Sequence, residues 1–385
     1  MVDLDEARRG LERIDWDFPR SGTSSLSVHN SHWSLGNFIP QIPAAFIQLL
    51  SATGQTVLDP FAGSGTTGIE AARLGRRAVM SDALLSSLLV MQGKIALANG
   101  ALAGDENDRL LRNLVWEHEM RSDEIGANGE GSDPFLESWF SRSTLAQLRF
   151  IWGIIERESG QVRDALRLIF SDVLFACASS KGARTSTGGL RRHHWGWIAD
   201  NVQPKLLVDH DAGSAFRERL ASAKTLQRIA GEQPVISRED ARQLSLPDSS
   251  VDLVVTSPPY VGVIDYTHAN RLLYAWMGWP LRIERSNEIG ARYKRARLKI
   301  IDEYLADMDL CWGQICRVLR PGGYCAIVIG ESRTFPDTVA ETTRRLGERL
   351  ELAWGPITRI PTRRRVSERE ARPAVEQILV YRKSC

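Results

Sequence analysis

Two short stretches of this chain combine residue types and spacing in a way that suits ligand binding and catalysis. The first is DPFAGSGTT at residues 59–67, where Gly63 and Gly65 let a backbone turn tightly and approach a ligand. Asp59 closes one apolar run and Asp82 the next, so two carboxylates stand at the carboxyl ends of adjacent predicted strands, where a carboxylate accepts hydrogen bonds from ribose hydroxyls. The turn is no GxxxxGK[ST] phosphate loop, which disfavours nucleotide hydrolysis, and it lacks the third dinucleotide glycine, which argues against a nicotinamide enzyme. A tight strand-to-helix connection with no ligand is the plainer alternative. The second stretch is TSPPY at 256–260. Pro258 and Pro259 stiffen its loop and carry no N–H, leaving carbonyls free to accept beside the Ser257 hydroxyl and the flat ring of Tyr260. A proline-rich turn after a buried strand is the alternative here.

Both stretches need a scaffold that brings them together. From Thr56 to Asp82 the sequence reads as strand, glycine turn, helix and strand: TVLD, FAGSGTTG, IEAARLG, RRAVMSD. VDLVVT is a further buried strand, RVLRPGGYCAIVIG reads as helix, PGG turn and strand, and EQILVYRK is the last strand. Strands alternating with helices imply an α/β fold around a mostly parallel sheet covered on both faces. Between roughly residues 100 and 235 the periodicity turns helical, in FLESWF, TLAQLRFIWGII and ALRLIFSDVLFACA, before a stretch rich in Arg, His, Trp and Gly. RSDEIGANGEGSDP, near residues 121–134, reads as a mobile loop, and no repeat of fixed period is present.

Composition narrows the class. With 385 residues, 43% hydrophobic and 25% charged, the chain is of globular type and long enough for one large core and a smaller lobe. MVDLDEARRG lacks the basic and apolar segments of a signal peptide, and no apolar run is long enough to span a bilayer, so a soluble cytoplasmic protein is expected. The five cysteines are scattered and odd in number, and are expected to be reduced and structural. A net charge of +2 does not by itself indicate nucleic acid, but positive charge gathers at Lys181–Arg192, Arg292–Lys299 and Arg359–Arg365. Solvated surface is the plain reading of any single cluster.

LDPFAGSGTT resembles motif I of the S-adenosylmethionine-dependent DNA amino-methyltransferases, and TSPPY resembles their catalytic motif IV. The resemblance implies a Rossmann-like class I methyltransferase with a mostly parallel seven-stranded sheet whose last strands form an antiparallel hairpin, here with a mainly helical insertion. It implies that Asp59, Phe61, Gly63 and Gly65 line the methionine and ribose part of S-adenosylmethionine, with Thr66 and Thr67 near its carboxylate and Asp82 on the ribose hydroxyls. Asp240, in ISREDARQL, matches the position facing the adenine amino group, an ordinary surface aspartate being the alternative. SLGNFIPQIPAAFIQLL resembles motif X more loosely and adds Phe38, Ile39 and Pro40 to the cofactor site, where a plain amphipathic helix entry is the alternative.

At Ser257, Pro258, Pro259 and Tyr260 the implied chemistry is amine methylation. An exocyclic base amine is a poor nucleophile because its lone pair is delocalised, and acceptors aimed at its N–H bonds make the nitrogen more tetrahedral. Tyr260 would stack on a base that has left the duplex at a cost of a few kcal/mol; aromatic contacts return about 1–3 kcal/mol. Asp265 and Tyr266, in VGVIDYTHAN, would sit beside the base pocket. The resemblance associates SPPY most often with cytosine N4, and Asp or Asn before PPY with adenine N6. No Pro-Cys pair exists to supply the nucleophile of carbon-5 methylation.

The expected substrate is double-stranded DNA, and a companion restriction endonuclease is an expected partner. Residues 30–100 and 235–385 form the expected catalytic domain, 1–29 an N-terminal extension, and 101–234 an insertion bearing target recognition. Within SSKGARTSTGGLRRHHWGWIADNVQPK, Lys181, Arg184, Arg191, Arg192 and Trp195 are candidate DNA contacts, cations neutralising phosphates or reading guanine edges; packing is the alternative for the tryptophans. Arg363, Arg364 and Arg365 are a second candidate phosphate contact. The adjacent His193 and His194 diverge and have no third ligand at sensible spacing, so no metal is expected. The rival readings are an N6-adenine DNA methyltransferase, an RNA base-amine methyltransferase and a catalytically silent DNA-binding protein.

Overall fold

A computed structural model describes residues 4–18, 28–32, 34, 38–111, 133–178, 204, 206–224, 226, 231–332, 334–359 and 373–384. Seven strands form one sheet: β1 (Thr56–Asp59), β2 (Arg77–Asp82), β3 (Val235–Arg238), β4 (Val251–Thr256), β5 (Leu319–Ser332), β6 (Glu351–Arg359) and β7 (Pro373–Arg382). Their order is β3-β2-β1-β4-β5-β7-β6. The first five neighbours pair parallel, whereas β7 runs antiparallel to both β5 and β6.

Side chains alternate between the two faces of the sheet, as the period of two requires. Val57, Leu253, Val255, Ala326 and Val328 pack on one side against α1 (Leu4–Glu12), α2 (Gln41–Leu50) and α3 (Thr66–Arg73). There Trp16 stacks on Phe46 with ring centroids 4.8 Å apart, seating the N-terminal segment on the sheet. Leu58, Val254, Cys325, Ile327 and Ile329 face the other side, under Trp312 and Ile315 of a long helix and Val339 and Leu346 of a shorter one. Parallel strands buried on both faces explain the near-continuous apolar runs in the sequence.

The β2-to-β3 crossover is greatly expanded. It begins with α4 (Leu85–Ala98) and continues through α5 (Arg142–Ile155), α6 (Gly160–Cys177) and α7 (Ala212–Ala223). Leu168, Phe170, Leu148 and Phe216 share one apolar core with Met91 of α4 and with Leu272 and Leu273 of α8 (Arg271–Met277). α9 (Leu281–Asn287), α10 (Ile300–Val318) and α11 (Thr338–Gly347) complete the helices used below. The described part of the insertion is helical, as expected. The acidic, glycine-rich stretch lies outside the described residues through 132. Among the described residues, no helix is long and apolar enough to cross a membrane.

The sheet reverses its direction of growth between β1 and β4, and the crevice outside the carboxyl ends of those strands is where α/β sheets take ligands. Both sequence stretches meet there.

Candidate active site

The glycine turn leaves β1 at Asp59 and enters α3 at Thr66. Gly63 and Gly65 both take positive φ, at 51° and 79°, a region costly for other residues. They do different work. A Cβ at Gly65 would meet Met91 Cγ at 3.1 Å and Met80 Sδ at 3.3 Å, so this glycine lets the turn pack on its neighbours. A Cβ at Gly63 would meet only Phe61 O, at 3.9 Å, so this glycine leaves its backbone open to the crevice. Asp82 holds the turn in place: Oδ2 accepts from Gly63 N at 2.9 Å and Oδ1 from Leu84 N at 3.0 Å.

The crevice contains a cavity of about 370 Å³. Its wall includes Phe38, Asp59, Phe61, Gly63, Thr66, Thr67, Asp82, Asp240, Ser257, Pro259 and Tyr266. Gly65, Pro40, Pro258, Tyr260 and Asp265 are not part of that wall, and Pro40 instead caps the start of α2. Burial pushes the Asp59 carboxyl up to about 6, against hydrogen bonds from Thr256 and from Phe61 N, and also raises Asp82. Asp240 behaves differently. Burial would raise it, but the Arg242 guanidinium outweighs that and holds it below the usual range. Arg242 donates to Oδ1 through Nε at 2.9 Å and to Oδ2 through Nη2 at 2.6 Å, so this carboxylate reaches the cavity already paired.

TSPPY follows β4 directly. Thr256 Oγ1 donates to Asp59 Oδ1 at 2.6 Å, which joins the two stretches physically. Ser257 Oγ lies 3.2 Å from Tyr260 Oη, and Tyr260 donates to Glu376 Oε1 at 3.3 Å. Because the one tyrosine proton goes to Glu376, the Ser257 hydroxyl donates to Tyr260 and keeps its own lone pairs for another donor. Glu376 is buried against Arg359, whose Nε donates to Trp16 O at 2.8 Å. Among the loop carbonyls, Pro259 accepts from Tyr304 Oη at 3.1 Å, whereas Pro258 accepts no hydrogen bond from a described residue.

The opposite wall comes from a segment the sequence did not single out. Glu284, Asn287, Glu288 and Ile289 all border the cavity. Glu284 accepts from Leu85 N at 3.1 Å and pairs with Arg238, while Glu288 accepts from Tyr266 N at 2.9 Å and Thr267 N at 2.7 Å. Burial, reinforced by the nearby Asp265 charge, pushes Glu288 up to about 8. Asp265 is itself buried, capping the turn Tyr266–Ala269 through His268 N and pairing with Arg285 at 2.6 Å, so it shapes the site by holding Tyr266. Nothing local in RIERSNEIG marks these residues; only the return of the chain beside SPPY does. The candidate DNA contacts Lys181, Arg184, Arg191, Arg192, Trp195, Arg363, Arg364 and Arg365 lie outside the described residues.

These residues fit S-adenosylmethionine. Gly63 gives backbone access, Asp82 an acceptor for ribose hydroxyls, Phe38 and Phe61 apolar walls, and the first turn of α3 a positive dipole end for a carboxylate. The fold and this crevice define an S-adenosylmethionine-dependent methyltransferase. A family model described as DNA methylase, for N6 and N4 methyltransferases, matches residues 29–86. The type II methyltransferase M.MjaII of Methanocaldococcus jannaschii is 30% identical over 416 residues, spanning 86% of this chain and 77% of that protein. M.BsoBI of Geobacillus stearothermophilus, also a type II methyltransferase, is 26% identical over 253 residues, spanning 58% of this chain and 47% of that protein. Among solved structures, an rRNA methyltransferase from Streptomyces viridochromogenes is 13% identical and covers 98% of this chain and 96% of that one, with a TM-score of 0.33. The chain belongs to the S-adenosylmethionine-dependent DNA amino-methyltransferases.

Proposed function

We propose that this enzyme methylates the N4 amine of cytosine in duplex DNA at a specific site. The observation that carries the reading is Ser257, first residue of SPPY, on the cavity wall with its hydroxyl 3.2 Å from that of Tyr260. Its oxygen accepts from one amine N–H and the Pro258 carbonyl from the other, drawing the nitrogen toward a tetrahedral geometry. Tyr260, fixed at its hydroxyl but outside the cavity wall, is assigned the role of offering its ring to the base as the base enters, and Tyr266 borders the cavity itself. Bound S-adenosylmethionine supplies a sulfonium methyl as the electrophile. Asp82, Phe61, Thr66, Thr67 and Phe38 hold and orient it, and Asp240 sits at the adenine end. After transfer the methylated ammonium is acidic and loses its proton to solvent, so no dedicated base is assigned.

Target recognition is assigned to the 101–234 insertion, with phosphate contacts from Lys181, Arg184, Arg191, Arg192 and Arg363–Arg365. The type II names of the two relatives favour a companion restriction endonuclease for this chain too.

The test is to incubate the protein with S-adenosylmethionine and unmethylated genomic DNA, digest to nucleosides and identify the product by mass spectrometry. N4-methylcytosine is expected. N6-methyladenine would move the target to adenine, and labelling of RNA alone would overturn DNA as the substrate. Ser257→Ala is expected to bind cofactor normally and to lose transfer.

A further inference from the structure

The segment Arg292–Lys299 plays no part in the site described above, yet it is built onto that site's wall. Lys294 is buried and its Nζ donates to Glu288 O at 2.6 Å, while Tyr293 Oη donates to Arg285 O at 3.1 Å. Two backbone bonds tie the same stretch to the loop after SPPY: Gly262 N to Gly290 O at 2.7 Å and Arg292 N to Ile264 O at 3.0 Å. Beyond this root the segment turns outward. Arg295, Arg297, Leu298 and Lys299 are all exposed, with Leu298 fully so. Arg297 pairs with Glu303 at 3.2 Å, whereas Arg295 and Lys299 pair with no acid among the described residues.

A single exposed leucine needs no explanation. Leu298 differs in its setting, because it stands among three cations on a segment bonded to the loop that follows SPPY. Extracting a base leaves a gap in the stack, and nucleic-acid-binding proteins fill or pry open such steps with apolar side chains flanked by phosphate-binding cations. Charge complementarity selects a polyanion as the partner.

We propose that Arg292–Lys299 is a DNA-gripping element, in which Arg295 and Lys299 bind phosphates of the duplex and Leu298 enters the base stack as the target nucleotide leaves. The proposal rests on DNA methylation as the function of the site. It assigns base extraction to a segment outside the insertion, separate from sequence reading.

Two variants test it, each first checked for unchanged melting and cofactor binding. For Arg295→Ala with Lys299→Ala, binding to a short fluorescein-labelled duplex is followed by anisotropy over a salt series. The slope of log K against log salt is expected to fall by about two, near 0.9 for each phosphate contact removed. For Leu298→Ala, binding to that duplex stays within about twofold of wild type, whereas methylation of duplex genomic DNA falls about tenfold or more and Leu298→Met restores most of it. An unchanged salt slope overturns the phosphate contacts. Duplex methylation within about twofold of wild type in Leu298→Ala overturns the wedge. Dissociation of a wild-type dimer by Leu298→Ala would assign the leucine to self-association and also overturn it. A wild-type protein that methylates no DNA overturns the underlying reading, and is told apart because it fails before any variant is compared.

Discussion

Thr256 Oγ1 and Asp59 Oδ1 lie 2.6 Å apart, so the strand that launches SPPY is bonded to the strand that launches the glycine turn. The bond spans the point between β1 and β4 where the sheet opens, and Asp59 is only 3% exposed. Cofactor wall and catalytic loop therefore cannot shift independently at this point. The carboxyl held there is pushed up to about 6 from an ordinary 3.8, first by burial.

That shift sets the sign of a pH effect. Well below the unfolded value of 3.8 the Asp59 carboxyl is protonated in both folded and unfolded chains, and its contribution to stability is fully present. As pH rises toward 6 the unfolded chain loses the proton first, so the contribution is lost, and above 6 the curve flattens. Relative to Asp59→Asn, wild type is expected to lose about 2.5 kcal/mol between pH 4 and 7 in urea titrations of the cofactor-free protein. Parallel curves for the two proteins would show that Asp59 titrates normally.

Tyr260→Phe removes a hydroxyl while keeping the ring. The Ser257 proton then loses its acceptor and its hydroxyl rotates freely, so the oxygen is no longer aimed. The loss is expected to be about 1–1.5 kcal/mol in the transition state, or roughly tenfold in kcat, with cofactor affinity unchanged. Tyr260→Ala, which also removes the stacking face, should cost more. Equal activity in Tyr260→Phe and wild type would leave the tyrosine with its ring alone.

Asp82 is expected to govern cofactor affinity. It fixes the turn through Gly63 N and Leu84 N, and its remaining acceptor capacity faces the cavity. Asp82→Ala frees the turn and removes the ribose partner together, a loss of about 1.5–3 kcal/mol for a charged hydrogen-bonding group, or roughly tenfold to a hundredfold in Kd. Calorimetry with S-adenosylmethionine measures this directly. Asp82→Asn, which can still accept from one N–H, should fall between. Affinity within twofold of wild type in Asp82→Ala would move the ribose elsewhere.

What could be read from sequence was what lies close together in it. The glycine turn and SPPY are contiguous, and the strands feeding them are apolar runs, so their placement at one crevice followed from fold class and resemblance. Glu284, Glu288, Glu376 and Tyr304 come from other parts of the chain and sit in no motif; packing alone makes them part of the site. Two strands also escaped the periodicity. β3 is a short edge strand whose residues are exposed or half-buried, so no apolar face announces it. β6 is broken by Gly355 and Pro356, where its register against β7 shifts. Gly65, read from the sequence as a ligand glycine, also has a packing reason to be glycine that the sequence did not reveal, since a Cβ there would crowd Met80 and Met91.

Gly262 offers a sharper test of how tightly the catalytic loop is held. Its φ is +70°, and a Cβ there would lie 2.5 Å from Phe335 Cε2, while its N–H bonds to Gly290 O. Gly262→Ala thus meets two separate penalties. The left-handed backbone costs about 1–2 kcal/mol for an L side chain, and the overlap with a buried ring costs about 1–3 kcal/mol more. Since Gly262 lies two residues after Tyr260, relaxation drags SPPY with it, and kcat should fall while cofactor affinity, set on the other wall, is retained. The two penalties separate in a double-mutant cycle. Adding Phe335→Ala gives the new methyl room but leaves the backbone strained, so it should recover part of the kcat lost in Gly262→Ala, despite its own cavity cost. Recovery of nothing would mean that backbone strain alone displaces the loop, and full activity in Gly262→Ala would mean that the loop tolerates a shift the chemistry is expected to forbid.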